Sequence, residues 1–181
     1  MLVSKVFLIF ICLFCVQDNE PFLVWSGANK LSWNDFKGAP KMDEAAVANT
    51  ASGITFRYSV TKTDKDEVVG FTTEVFAHFY PEKSWYKKER ATTHILGHEQ
   101  THFNITELFA RKFRYRISKL NISNSIKQEL KILYKTINAE LAVMQKKYDS
   151  ETDFSRNKEA QATWDVFMRS ELEKFSKYAL N

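Results

Sequence analysis

The chain has 181 residues, with 26 basic and 22 acidic side chains, a formal net charge of +4 and 44% apolar residues. That balance excludes an intrinsically disordered chain, a collagen-like repeat and a polytopic membrane protein, and the length suits one domain. The charge is too mild to argue for nucleic acid, so no nucleic-acid partner is expected.

At the N-terminus, Lys5 precedes an unbroken apolar run of 11 residues from Val6 to Val16. A membrane-spanning helix needs about 20 apolar residues, whereas the apolar core of a secretory signal needs about 7–15. Residues 1–17 are therefore expected to be a signal peptide, followed by one domain over residues 18–181. Export implies a secreted or periplasmic protein, with no stable membrane span once the signal is cleaved. Both cysteines, Cys12 and Cys15, fall in this run. The mature chain then has no thiol for a disulfide, a thiolate-bound zinc or a nucleophile. Any metal site must draw on His, Asp and Glu.

The remainder divides by periodicity into a strand-rich front and a helix-rich back. Leu31-Ser-Trp-Asn-Asp-Phe-Lys-Gly38 reads as a short element ending in a turn. Ile54, Phe56, Tyr58 and Val60 alternate with polar residues, as on a half-buried strand. A second strand runs from Val68 to Tyr80, with Val69, Phe71, Val75, Ala77 and Phe79 on one face. The polar stretch 61–67 between them predicts a hairpin with a longish loop.

After Pro81 the period becomes helical. Leu96, Phe103, Leu108, Phe109, Phe113 and Ile117 predict a long amphipathic helix over about 90–120. Ile126, Leu130, Leu133, Ile137, Leu141, Met144 and Tyr148 form the buried stripe of a second helix over about 123–148. Trp164, Phe167, Met168, Leu172 and Phe175 point inward from a third over about 158–179, with Asn157 as its cap. The basic run Arg111-Lys-Phe-Arg-Tyr-Arg116 reads as a solvated face around a buried Phe113. The expected class is α+β: a hairpin or small antiparallel sheet packed on about three helices, which a His-Glu-x-x-His at residues 98–102 makes zincin-like, and monomeric.

One motif carries chemistry. His98-Glu99-Gln100-Thr101-His102 is a His-Glu-x-x-His on the first helix. Residues four apart share a helix face about 5–6 Å apart, so two imidazoles can reach one tetrahedral Zn²⁺ at about 2.0–2.1 Å. Glu99, rotated by about 100°, is placed to take a proton from metal-bound water. His94 extends the series, but His94 and His102 lie about 12 Å apart along the axis and cannot share one ion. His94 is expected to be solvated or to support the ligands from outside. His78, on the second strand, reads as a half-buried strand histidine. A catalytic zinc needs a third protein ligand and one open position. By spacing alone Glu140 and Asp149 cannot be separated, and Glu151 and Asp153 are close by. Tyr148 reads as core, with an oxyanion contact as its functional alternative.

Several blocks together resemble a bacterial family of predicted secreted zinc-dependent proteases, catalogued as a domain of unknown function. They are Leu31–Gly38, Ala45–Ile54, Ser84-Trp85, His98–Leu108, Tyr148-Asp-Ser-Glu-Thr152, Gln161 and Trp164. The resemblance implies zinc on His98 and His102, Glu99 as general base, and a peptide or protein substrate. The family's second hallmark, here Tyr148-Asp149, makes Asp149 the implied third ligand. The chain departs from the pattern at Asp153-Phe154-Ser155, where Phe154 stands in place of a histidine. The alternative is therefore a catalytically degenerate, peptidase-like binding module of the cell envelope.

Overall fold

The computed structural model describes residues 20–43 and 45–180. The expected signal segment and both cysteines lie outside the described residues. The fold is α+β, with small antiparallel sheets in the N-terminal half and three helices in the C-terminal half.

Strands β1 (Leu23–Val24), β3 (Ser52–Lys62) and β4 (Val68–Phe79) form one sheet in the order β1-β4-β3. Strands β2 (Ala48–Asn49) and β5 (Trp85–Tyr86) form a second, two-stranded sheet. The expected hairpin is β3–β4, in a register that pairs Ile54 with Ala77, Phe56 with Val75 and Val60 with Phe71. Its apolar face is therefore continuous. A register shift between Thr61 and Lys62 pairs Lys62 with Val68. That irregularity corrects one expectation: Val68 packs on the core, whereas Val69 is exposed at the hairpin tip. The two-residue strands β1, β2 and β5 carry too short a pattern to show in the sequence. The Leu31–Gly38 element contains a 3₁₀ turn at Trp33–Asp35. Gly38 closes it, because a Cβ there would lie 2.8 Å from the Glu82 carbonyl oxygen and 2.9 Å from that of Ser84.

Helix α1 spans Thr93–Ile117, α2 spans Ile126–Glu151 and α3 spans Lys158–Lys174. Thr92 caps α1 by accepting from the Ile95 N–H, and Asn157 caps α3 by accepting from the Ala160 N–H. Each side-chain oxygen satisfies a backbone donor that the first helical turn leaves free. Beyond α3 the helix tightens into a 3₁₀ turn at Ser176–Tyr178. On α3, Trp164 and Met168 are buried as expected, but Phe167 is on the exposed side.

Helix α1 is the central wall. Phe103, Leu108, Phe109 and Phe113 bury against the sheet and against the α2 stripe of Ile126, Leu130, Ile137 and Leu141. The basic run of α1 is not a solvated face. Glu107 is buried, and its carboxylate accepts from Arg111 at 2.8 Å and from Arg114 at 3.2 Å. Arg111 also donates to the Leu172 carbonyl, and Arg114 to those of Val75 and Tyr178. A buried carboxylate requires paired cations, and these two fasten the sheet and the chain's C-terminal turns to α1. Among the described residues, no helix is long and apolar enough to cross a membrane.

Candidate metal centre

Contacts between α1 and α2 pair Arg116 with Glu140, Thr106 with Gln145, and His98 with Asp149. Rising numbers on one helix meet falling numbers on the other, so the helices are antiparallel. The last turn of α2 therefore arrives beside the first turns of α1. This brings together side chains about fifty residues apart in the chain.

His98, His102 and Asp149 each offer one ligand atom, all within 4.8 Å of one another, in a group able to hold a metal ion. The Asp149 Oδ1 lies 3.2 Å from His98 Nε2 and 2.9 Å from His102 Nε2. The two Nε2 atoms are 3.1 Å apart. Tetrahedral bonds of 2.0–2.1 Å place ligands about 3.3 Å apart, so this triangle fits one face of such a tetrahedron. Its fourth corner belongs to no protein donor of the group.

The hydrogen bonds around His102 define what its Nε2 can do. The side-chain amide of Gln145 donates through Nε2 to the His102 carbonyl at 2.9 Å. Its Oε1 therefore faces His102 Nδ1 and accepts the proton carried there. In the neutral imidazole, Nε2 is then a bare lone pair aimed at a carboxylate oxygen. Two acceptors at that distance need a proton or a cation between them. Without metal, a proton serves. Burial opposes charge on His102, but the hydrogen bond to Asp149, the charges of Glu99 and Asp149, and the Gln145 contact outweigh it, raising its pKa. Burial likewise opposes the Asp149 anion, yet hydrogen bonds from both imidazoles and their charges hold its carboxyl well below the usual range.

Tyr148 is fully buried beneath this group. Its ring stacks on His98 with centroids 4.5 Å apart and meets His102 edge-on at 5.0 Å. Trp164 closes the far side of Tyr148 at 5.1 Å. Tyr148 is thus a platform for the imidazoles, and its hydroxyl, buried without a partner, has its pKa raised by that burial. Glu99 is buried as well, and among the described residues nothing hydrogen-bonds its carboxylate. Its negative charge acts on His102, while its backbone carbonyl accepts from Thr50.

The remaining acidic residues have other partners. Glu140 makes two contacts with Arg116, at 2.9 and 2.7 Å. Glu151 accepts from the Trp164 indole at 2.9 Å, and Asp153 pairs with Arg156. His94 is half-buried, and its Nε2–H donates to the Ser155 carbonyl at 2.7 Å. His78 is more buried than expected; Phe22 stacks on it at 3.9 Å, and Nδ1 lies 2.8 Å from the Thr55 hydroxyl. Burial, and then the Arg57 charge, push its pKa down.

The turn after Asp149 is unusual. Asp153, Phe154 and Ser155 have φ of 48°, 51° and 72°, and none is glycine. Such residues persist only where their surroundings hold them. Here the Phe154 N–H donates to the Asp149 carbonyl, the Asn157 N–H to that of Thr152, and His94 clasps Ser155. Phe154 itself is 62% exposed and outside the donor group. Sequence reasoning missed Gln145. The available signal was its place one turn before Asp149, matching the turn between His98 and His102.

An α+β fold with a His-His-Asp donor set across two antiparallel helices defines a class of protein with a metal-competent centre. Residues 29–158 match the model of a family described as a bacterial protein of unknown function, DUF922. The match covers well over half of the chain, which belongs to that family. It includes the three donors and Glu99 but stops short of Gln161 and Trp164. No curated protein and no solved structure matches the chain.

Proposed function

We propose that the protein is a zinc-dependent peptidase of the secreted or periplasmic compartment. The observation that carries this is the triangle of His98 Nε2, His102 Nε2 and Asp149 Oδ1, with the Glu99 carboxylate, which nothing hydrogen-bonds among the described residues, acting on one of its imidazoles. Two imidazoles and one carboxylate are a donor set of catalytic zinc sites, which keep a fourth position for water or substrate. The His-Glu-x-x-His spacing and the resemblance to zinc-dependent proteases support an amide as the bond cleaved. The apolar run at residues 6–16 supports export.

Zinc held there supplies Lewis acidity, which acidifies water and polarises a carbonyl. The chain's own residues do the rest. Gln145 fixes the His102 tautomer, so that Nε2 is free to ligate. Tyr148 packs flat on the His98 ring and edge-on against the His102 ring, fixing both and excluding water from behind them. Glu99, with no competing hydrogen bond, takes the proton from the attacking water and returns it to the leaving amide nitrogen. Tyr148 is not assigned to the oxyanion, because its side chain is fully buried behind the imidazoles.

The test is Glu99→Gln. It should bind zinc like the parent chain and lose about 10²–10⁴-fold in hydrolysis of a peptide library. Turnover unchanged in that variant would overturn the mechanism. The departure from the family pattern, Phe154 where a histidine is expected, favours a second reading, the degenerate binding module. Peptide hydrolysis abolished by a chelator and restored by Zn²⁺ excludes that module; metal bound without any hydrolysis supports it.

A further inference from the structure

Three buried side-chain atoms among the described residues lack a hydrogen-bond partner: His98 Nδ1, the Tyr148 hydroxyl and Gln161 Oε1. All three come from the junction of α1, α2 and α3. Tyr148 stacks on His98, and Gln161 is bound to the turn of α1 that leads into it. The side-chain amide of Gln161 donates through Nε2 to the His94 carbonyl at 3.1 Å. It also lies against Gly97, where an added Cβ would be 3.5 Å from that nitrogen. The His94 carbonyl is one helical turn before His98, so the Gln161 amide sits beside the root of the His98 side chain.

The chemistry of the two orphans is complementary. If Nε2 of His98 is a ligand, the neutral ring carries its proton on Nδ1, a donor. Gln161 Oε1 is an acceptor only, and the bond to His94 fixes which end of the amide it is. Leaving a buried donor and a buried acceptor unpaired is costly, so the two gain by meeting. His102 shows the arrangement already completed: Gln145 donates to a backbone carbonyl of α1 and accepts from the ring's Nδ1–H.

We infer that Gln161 is the positioning residue for His98, its Oε1 accepting the Nδ1–H either after a small rotation of the amide or through one bridging water. The two imidazoles are then each oriented by a glutamine, Gln145 from α2 and Gln161 from α3. This rests on the metal-site reading above, and it extends the site to a third helix beyond the residues that the family match covers. Ligand-orienting hydrogen bonds of this kind are worth about 10–100-fold in metal affinity.

The test compares Gln161→Met and Gln161→Glu in the full chain. Both lose the Nε2 donation to His94, so a purely structural role predicts equal effects. The inference predicts that Gln161→Met weakens Zn²⁺ binding about 10–100-fold, measured by competition with a chromophoric chelator, while Gln161→Glu, which keeps an acceptor, stays within about threefold. The Co²⁺ absorption bands should shift in the Met variant alone. Equal affinities in the two variants would overturn it. The second measurement needs no variant: nitrogen-15 NMR of the zinc-loaded parent chain should show the His98 proton on Nδ1, slow to exchange with solvent. Fast exchange would also overturn it. Should the parent chain take up no metal, the proposed function fails; should it take up Zn²⁺ with the two variants binding it equally, this inference alone fails.

Discussion

At the scale of single residues, the site is a problem of where protons sit. His102 donates from Nδ1 to Gln145, so its Nε2 holds either a proton or a metal against Asp149. The two compete for one lone pair. Metal affinity should therefore fall as pH is lowered through the raised pKa of His102, and binding near neutral pH should release protons. Calorimetry in buffers of different ionisation enthalpy measures that release. The metal-free chain has the opposite dependence at alkaline pH. The raised His102 pKa means that the contact with Asp149 stabilises the fold fully below about pH 6.5 and is lost as pH rises through the raised value. The lowered Asp149 pKa means that the same contact is retained above about pH 3.9 and is lost as pH falls further. In an NMR titration of the metal-free chain, His102 should titrate above 6.5 and His78 below it. A His102 that titrates below 6.5 would remove the electrostatic basis of the donor triangle.

At the scale of elements, α1 does three jobs along its length. Phe103 and Phe113 bury in the core, and His98 and His102 face Asp149 of α2. Glu107 is buried between Arg111 and Arg114. Replacing Glu107 with alanine leaves two inward-facing guanidinium groups without their counter-ion. Breaking a buried pair in this way costs about 3–5 kcal/mol. Urea unfolding of Glu107→Ala should show a loss of that order, with the metal ligands untouched. A loss below about 1 kcal/mol, the range of exposed pairs, would mean that the network is solvated. The α2–α3 connection belongs to the same scale. Its three left-handed residues come immediately after the Asp149 turn, and the clasp from His94 to Ser155 ties that turn to the start of α1.

For the molecule as a whole, a metal ion held by His98, His102 and Asp149 would cross-link helices that are separate in the chain. An ion bound only by the folded state at 100 times its dissociation constant adds about 2.7 kcal/mol. For a chain of this size each kcal/mol is worth about 2–4 °C, so Zn²⁺ should raise Tm by about 5–10 °C and a chelator should reverse it. Calorimetry with and without chelator checks this, and Asp149→Ala should abolish most of the rise. The family and the three long helices were legible in the chain itself. Apolar spacing is a local property that survives without tertiary context, which is why Ile126 to Tyr148 marked α2 and Ile54 to Val60 marked β3. Spacing also joined His98 to His102, since a helix brings residues four apart onto one face. The strands of two residues, the inward turn of Arg111 and Arg114, and the exposed Phe167 were not legible. Each depends on what another element places opposite. The third donor belongs with them. Asp149, Glu140, Glu151 and Asp153 are chemically alike and close in sequence, and only the packing of α2 against α1 and α3 sends Glu140 to Arg116, Glu151 to Trp164 and Asp149 to the imidazoles. Local periodicity makes helices from sequence alone, whereas the meeting of side chains fifty residues apart is settled by how those helices pack.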